Sequence, residues 1–300
     1  MARDILDLSD RRFSYSASNV LKSCEKQYCF KYVLGVEKDT DIEDDAAALR
    51  FGKAFHTVCE LTNHDVRKFN TSMLTKAAFD NCLNTEDTTK VYACLKSYFD
   101  LHSKSKLECV GIELEIGDEN LVGYIDAVMA DRNGNFWICD LKTSGLVVDT
   151  LFARLHKDPQ LNLYCAFAEQ VVEKINAASN RKLDIKKLQG CAYRVVAKPR
   201  TTPKTGESFE AYAARAAPEA YDVYIPIDKM DPESALREIR ELQTKAKAIT
   251  LDNSRCNRAN CVQWQRPCDF FSQCHGATFT ECKESAKVFT TKNQIDQTKG

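Results

Sequence analysis

Apolar positions recur every three or four residues early in the chain and then switch to strict alternation. Val20, Cys24, Tyr28 and Tyr32 are spaced by four, with Leu21 beside them, which predicts a helix over 16–32 capped by Ser14 or Ser16. The polar stretch from Lys38 to Asp45 reads as a loop. A second helix is predicted from Ala46 to Leu61, with Leu49, Phe51, Phe55, Val58 and Cys59 on its apolar side. A third covers 87–102 through Val91, Leu95, Tyr98 and Phe99. From Val110 the period becomes two. Val110, Ile112, Leu114 and Ile116 alternate with Glu113 and Glu115, as in a half-buried strand. Residues 117–120 then form a turn and 121–130 a second strand. Asn133-Gly134 marks a hairpin, followed by a third strand over 136–142.

Asp158-Pro159 places a cap and a first-turn proline before a helix carrying Leu161, Tyr164, Phe167, Ala168 and Val171. Strands are predicted at 189–197 and 221–227, with a polar loop from Lys198 to Pro218 between them. Asp231-Pro232 opens another helix through Leu236, Ile239 and Leu242. Periodicity fades beyond Leu251, and the last dozen residues read as a polar tail. Helices, a three-stranded meander, a helix and further strands predict a mixed α/β domain with a sheet at its centre.

Composition narrows the function. The chain has 300 residues, and 42 basic against 43 acidic side chains leave a formal charge of −1. That excludes a histone-like protein held to nucleic acid by bulk charge and leaves room only for a local basic groove. No apolar run reaches the length of a membrane span, and the acidic, broken start does not resemble a secretion signal, so a reducing cytosol is the expected compartment. Cysteines number 14. The scattered ones, among them Cys29 and Cys282, read as small buried hydrophobes. Those gathered near the end point to a metal before they point to disulfides.

The chemistry-bearing residues fall on three elements. Asp140 and Lys142, two apart on the third strand, share a face, and the hairpin can bring Asp126 alongside Asp140. Two carboxylates meeting a lysine are costly to bury unless a divalent cation sits between the acids, and hard oxygen ligands suit Mg2+ or Mn2+. The lysine would then hold an attacking water or neutralise charge developing on a phosphate. Gly52, His56 and Glu60 lie along one helix face, where Gly52 allows close approach and His56 offers a third ligand. Gln160 and Tyr164, again four apart, would position a nucleic-acid strand. Singly, these are a surface ion pair, a structural histidine, a solvated glutamine and a core tyrosine. Their order along the chain is what gives them weight.

That order resembles the PD-(D/E)XK nuclease superfamily, in the branch of the RecB and AddB nuclease domains and the CRISPR-adaptation nucleases, often met in phage-encoded versions. The resemblance spans about 13–275. It opens with Phe13-Ser-Tyr-Ser-Ala-Ser18 and the helix from Leu21 to Tyr28. It continues through Gly52-Lys-Ala-Phe-His56-Thr-Val-Cys-Glu60, Gly123-Tyr-Ile-Asp126, Asp140-Leu-Lys142-Thr143 and Gln160-Leu-Asn-Leu-Tyr164. It implies a restriction-endonuclease-like core in which a central mixed sheet is flanked by helices and the chain termini are tied by a cysteine metal site. It further implies a metal-dependent DNA exonuclease of recombination, repair or degradation. By that resemblance His56, Asp126, Asp140 and the Leu141 carbonyl ligate Mg2+ or Mn2+, and Lys142 is the catalytic lysine. Gln160 and Tyr164 support the site and contact substrate, while Glu60 backs the ligands. Glu113 is a further acidic candidate that strand alternation already explains. A DNA-binding recombination accessory protein that does not cut and a structure-specific endonuclease are the alternatives.

The end of the chain runs Cys256-Asn-Arg-Ala-Asn-Cys261-Val-Gln-Trp-Gln-Arg-Pro-Cys268-Asp-Phe-Phe-Ser-Gln-Cys274-His275. These gaps fit the close pairs of zinc sites poorly, whereas an iron–sulfur cluster tolerates wide spacing. The resemblance implies a [4Fe-4S] cluster on Cys24, Cys261, Cys268 and Cys274. Zinc and unmetallated thiols are the alternatives, and Cys256 and Cys29 compete as ligands. Glu25 stands where many relatives have proline. The expected organisation is a helix with one cluster cysteine over 1–45, the nuclease core over 46–250, a cysteine-rich segment over 251–282 and a polar tail over 283–300. The expected partner is DNA, single-stranded or at its ends, with a helicase or strand-annealing protein as a further partner and no membrane. Lys198, Arg200, Lys204, Arg215, Arg255, Arg258 and Arg266 are candidate phosphate contacts, and Trp264 would stack on a base or on the cluster.

Overall fold

The computed structural model describes residues 12–36, 46–145, 157–178, 184–263, 266–276 and 281. The loop expected at Lys38 to Asp45, Trp264, Cys282 and the polar tail lie outside the described residues. The chain divides into two compact units, one made of 1–44 with 239–300 and the other of 45–238. The division falls inside a helix, where the sequence places its own boundaries near 45 and 250.

The first unit starts with β1 (Phe13–Ser14) and α1 (Tyr15–Ser23), which Ser14 caps by accepting the Ala17 N–H at 3.1 Å. The single helix expected over 16–32 is broken. At Cys24 the backbone is extended (φ −159°, ψ 118°), and a short α2 (Glu25–Tyr28) and a π-helical turn (Cys29–Val33) follow. The break frees backbone groups that the C-terminal segment of the same unit takes up. Lys26 N–H donates to the Arg255 carbonyl at 3.2 Å, and the Glu25 carboxylate accepts Arg255 N–H at 2.8 Å. A four-residue apolar spacing is blind to such a kink, because it continues on either side of it.

The second unit begins with α3 (Ala46–Leu61), α4 (Thr71–Asp80) and α5 (Thr85–His102). The meander follows as β2 (Glu108–Gly117), β3 (Leu121–Ala130) and β4 (Asn135–Ser144). Then come α6 (Pro159–Cys165), α7 (Ala168–Ala178), β5 (Lys187–Ala197), α8 (Phe209–Ala216) and β6 (Ala220–Pro226). The helix α9 (Pro232–Ala248) carries the division between the units. The pairing β2–β3–β4 is antiparallel, β4–β5 parallel and β5–β6 antiparallel, so the sheet is mixed. Gly134 makes the β3–β4 turn with φ +84°, and a Cβ there would lie 2.4 Å from the Asp184 carbonyl oxygen.

Three expectations in this unit are corrected. α4 lies where no helix was predicted. It is capped by Asn70 and contributes the buried Leu74 and Ala77, but Phe79 is exposed and blurs its apolar stripe. The expected loop from Lys198 to Pro218 contains α8, held by the buried Tyr212 and Ala213. Leu49 is 62% exposed and lines a cleft instead of joining the core.

The sheet carries a core on each face. One side packs α3, α4, α5 and α8 against Ala127, Met129, Cys139, Leu141, Ala192 and Val196. The other packs α6 and α7 against Val128, Ala130, Phe136, Ile138 and Val195. The two-residue period of β3 and β4 sorts their side chains between these cores. No described helix is long and apolar enough to cross a membrane.

The C-terminal segment of the first unit holds a two-residue pair, β7 (Val262–Gln263) with β8 (Arg266–Pro267), and then α10 (Phe271–His275). Cys268 N–H donates to the Cys261 carbonyl at 2.8 Å, so the hairpin sets these two cysteines opposite each other.

Candidate active site

The β3–β4 ladder ends at Ala127↔Cys139. One residue further the strands part, and Leu141 N–H is taken by a side chain: Asp126 Oδ2 accepts it at 2.8 Å. The Leu141 carbonyl meets His56 Nε2 of α3 at 3.0 Å, and His56 Nδ1 stands 3.7 Å from Asp126 Oδ2. Asp126, His56 and the Leu141 backbone are thus gathered at one opening in the sheet. Beside them Lys142 Nζ donates to Asp140 Oδ1 at 3.0 Å and pairs with Oδ2 at 2.8 Å. Residues of α3 and β4, among them Lys53, His56, Glu60, Lys142 and Thr143, line a cleft of about 490 Å3.

Electrostatics at this opening favour an added cation. Asp140 is only 3% exposed, and burial pushes its carboxyl up to about 7 against the pull of Lys142. Burial opposes the charge on Lys142, but Asp140, then Asp126 and Asp158, outweigh it and hold the ammonium more firmly protonated than usual. Burial also raises Glu60, while His56 pulls it down. Desolvation raises Glu113 to about 7, and the charges of Asp126 and Glu60 add to it. The Glu60 and Glu113 carboxyls act on each other's protonation. Alternation explained Glu113 as an ordinary strand residue. Its backbone in fact turns left-handed (φ 44°), a local departure with no signature in a two-residue period.

Gln160 and Tyr164 are one helical turn apart on α6. Asp158 caps that helix, accepting Gln160 N–H at 2.8 Å and Leu161 N–H at 3.2 Å. Gln160 Nε2 donates to the Tyr164 hydroxyl at 2.8 Å, and Tyr164 is 5% exposed. Its ring lies against Gly123, where an added Cβ would come within 2.9 Å of Tyr164 Cε1. Gly52 has no such need, since a Cβ there would meet Thr143 Oγ1 at an ordinary 3.7 Å.

The oxygens of Asp126, Asp140 and Leu141 with the His56 imidazole suit Mg2+ or Mn2+ by donor type. At the thiol-rich end, Cys24, Cys256, Cys261, Cys268 and Cys274 line one small cavity of about 10 Å3 with Phe270, Phe271 and His275. Cys256 and Cys261 sulfurs are 3.7 Å apart, and Cys24 Sγ accepts Asn257 N–H at 3.4 Å. Burial and then the neighbouring thiols push Cys261 to about 11 and Cys274 to about 12, so a metal there would have to displace protons. Soft sulfur donors fit an iron–sulfur cluster or zinc by type. Among the described residues, however, no three His, Cys, Asp or Glu side chains stand at metal-holding distance, at either place. Cys29 is fully buried and is absent from the lining of the thiol cavity.

Two expected phosphate contacts are occupied internally. Arg215 forks onto Glu207 at 2.8 and 2.7 Å, and Lys198 sits 4.7 Å over the Phe51 ring with its pKa lowered by burial. Arg200, Lys204, Arg255 and Arg258 are exposed. A family model described as the PD-(D/E)XK nuclease superfamily matches residues 12–275. No curated protein matches the chain.

Proposed function

The chain belongs to the PD-(D/E)XK nuclease superfamily, and from that premise we propose that it is a Mg2+- or Mn2+-dependent DNA exonuclease. The observation that carries the reading is the parted ladder at Leu141, where Asp126 and His56 both engage that residue beside the Lys142–Asp140 pair. Asp126, Asp140, His56 and the Leu141 carbonyl would hold the cation, which when bound supplies Lewis-acid stabilisation of a phosphoryl oxygen. Lys142, kept cationic by the carboxylates around it, orients the attacking water and neutralises charge growing on the phosphate. Gln160 and Tyr164 form a hydrogen-bonded wall against which the strand is laid. Glu60 shapes the cleft behind His56. The exonuclease specificity, the recombination or repair role and the RecB-like branch rest on the order of the sequence motifs.

The test uses end-labelled linear and circular single-stranded DNA, and linear duplex, with Mg2+, Mn2+ or EDTA. Wild type is expected to degrade linear DNA only with metal, while Asp140→Ala and Lys142→Ala lose at least about a hundredfold in rate. Cleavage of circles makes the protein an endonuclease. Metal-dependent DNA binding without cleavage favours the accessory-protein reading.

We also infer a soft-metal group on the thiols of the first unit, a [4Fe-4S] cluster before zinc. Its support is the sharing of one cavity by Cys24, Cys261, Cys268 and Cys274. Cys256 lines the same cavity and competes for a place in the set.

A further inference from the structure

A second cavity in the 45–238 unit, about 630 Å3, lies at the end of α3 away from His56. Its lining includes His64, Arg67, Lys68, His102, Met129 and Arg194, and it shares no residue with the cleft at Lys142. The volume falls in the range of roughly 300–1,000 Å3 typical of small-molecule sites.

Two of its lining residues, Arg194 and His64, carry buried nitrogens with no hydrogen-bond partner among the described residues. Arg194 of β5 is 0% exposed, an arginine on the strand face otherwise occupied by Ala192 and Val196. Its Nη1 donates to the Tyr98 hydroxyl at 3.1 Å, and that hydroxyl lies 2.6 Å from His64 Nδ1. A guanidinium only donates. The hydroxyl accepts from Arg194, and among the described residues His64 Nδ1 is the acceptor at hand for its own proton, which assigns the proton of the neutral ring to Nε2. Burial, then the charges of Arg194 and His102, hold His64 neutral, its pKa down at about 3. Arg194 Nε and Nη2 and His64 Nε2 have no hydrogen-bond partner in the structure. Asp222 forms an ion pair with Arg194 Nε at 3.9 Å, too long for a hydrogen bond, and its carboxylate already accepts from His102 Nε2 at 2.9 Å and the Tyr224 hydroxyl at 3.1 Å.

These nitrogens belong to two residues that line the cavity, and a guanidinium with free N–H groups suits the doubly charged, three-oxygen phosphoryl group of a phosphate monoester. An unsatisfied buried donor is costly, and an oxyanion would recover that cost. At the rim, Arg67 is tied to Asp65 by a bidentate pair, and Lys68 and Glu108 are exposed. We propose that this cavity is a second ligand site, which takes a small phosphorylated compound with its phosphoryl group on Arg194 and His64 and with Lys68 at the entrance. The three nitrogens are sealed from water, so the wall side chains must give way as the anion enters.

The experiment is calorimetric titration of the full chain, in EDTA at fixed ionic strength, with inorganic phosphate and with a deoxynucleoside 5′-monophosphate. Saturable binding is expected for both, tighter for the nucleotide, and unchanged in Asp140→Ala. Binding of inorganic phosphate alone keeps the anion site and makes the rest of the cavity irrelevant to recognition. Binding should weaken about tenfold or more in His64→Phe, as for loss of a hydrogen bond to a charged group, and measurably in Lys68→Ala. No saturable binding overturns the proposal. So does binding that is lost in Asp140→Ala and kept in the other two, since that places the anion in the catalytic cleft. If His64→Phe fails to fold, the exposed Lys68→Ala decides alone. A failed nuclease assay leaves this result standing, because the two sites share no residue.

Discussion

Gly123 shows how one side chain's absence can set a site. A methyl group there would lie 2.9 Å from Tyr164 Cε1, and Tyr164, 5% exposed, has little room to yield. Gly123→Ala is expected to cost about 1–3 kcal/mol of stability by overpacking. Its nuclease rate should fall by more than that loss explains, because Gln160 moves with the Tyr164 hydroxyl it bonds. Urea unfolding beside initial rates checks this, and a folded, fully active variant would show that the place of Tyr164 does not matter. At this scale the sequence was informative about residue identity. Asp126 and His56, picked out by spacing and order, both reach the Leu141 backbone, and Lys142 pairs with Asp140 beside them. It was uninformative about Glu113, whose backbone is left-handed and whose raised pKa reflects burial and then the charges of Asp126 and Glu60, residues distant in sequence.

At the scale of elements, caps and periods carry most of the legible signal. Asp158-Pro159 marked the start of α6, and Asp158 indeed accepts two backbone N–H groups there. Asp158→Ala should cost about 1 kcal/mol, the usual worth of an N-cap. It should also lower the cleavage rate, since the first turn of α6 carries Gln160. Thermal unfolding and single-turnover kinetics together test the point, and an unchanged rate with the stability loss would make α6 a purely structural support. Elements with mixed surfaces were less legible. α4 keeps Phe79 exposed, and α8 sits in a stretch of lysines and prolines where short helices are held by tertiary burial and not by propensity. The kink at Cys24 was invisible for a related reason: the carbonyl that receives Lys26 N–H belongs to Arg255, far along the chain.

For the whole molecule, the near-neutral charge means that DNA affinity must come from a few local cations, of which Arg215 and Lys198 are already engaged within the protein. The thiol cavity is built from both ends of the chain, Cys24 from one and Cys256 to Cys274 from the other, so a metal there would close a very long loop. Anaerobically purified protein is expected to contain iron and sulfide and to show the visible absorbance of thiolate-bound iron–sulfur centres. Chelation should lower its melting temperature. Zinc without iron would replace the cluster, and no metal at all would leave the thiols as packing. What the sequence determined by itself follows from local physics. Two- and four-residue periods specified the strands and the main helices, turn and cap residues specified several of their ends, and the order of short motifs pointed to the family. Only the tertiary structure decided where the β3–β4 ladder parts, which thiols share a cavity, and that Arg194, Tyr98 and His64 converge beside a second cavity. Those outcomes depend on contacts between residues far apart in the chain, and a one-dimensional pattern holds no record of which distant groups compete for the same hydrogen bond.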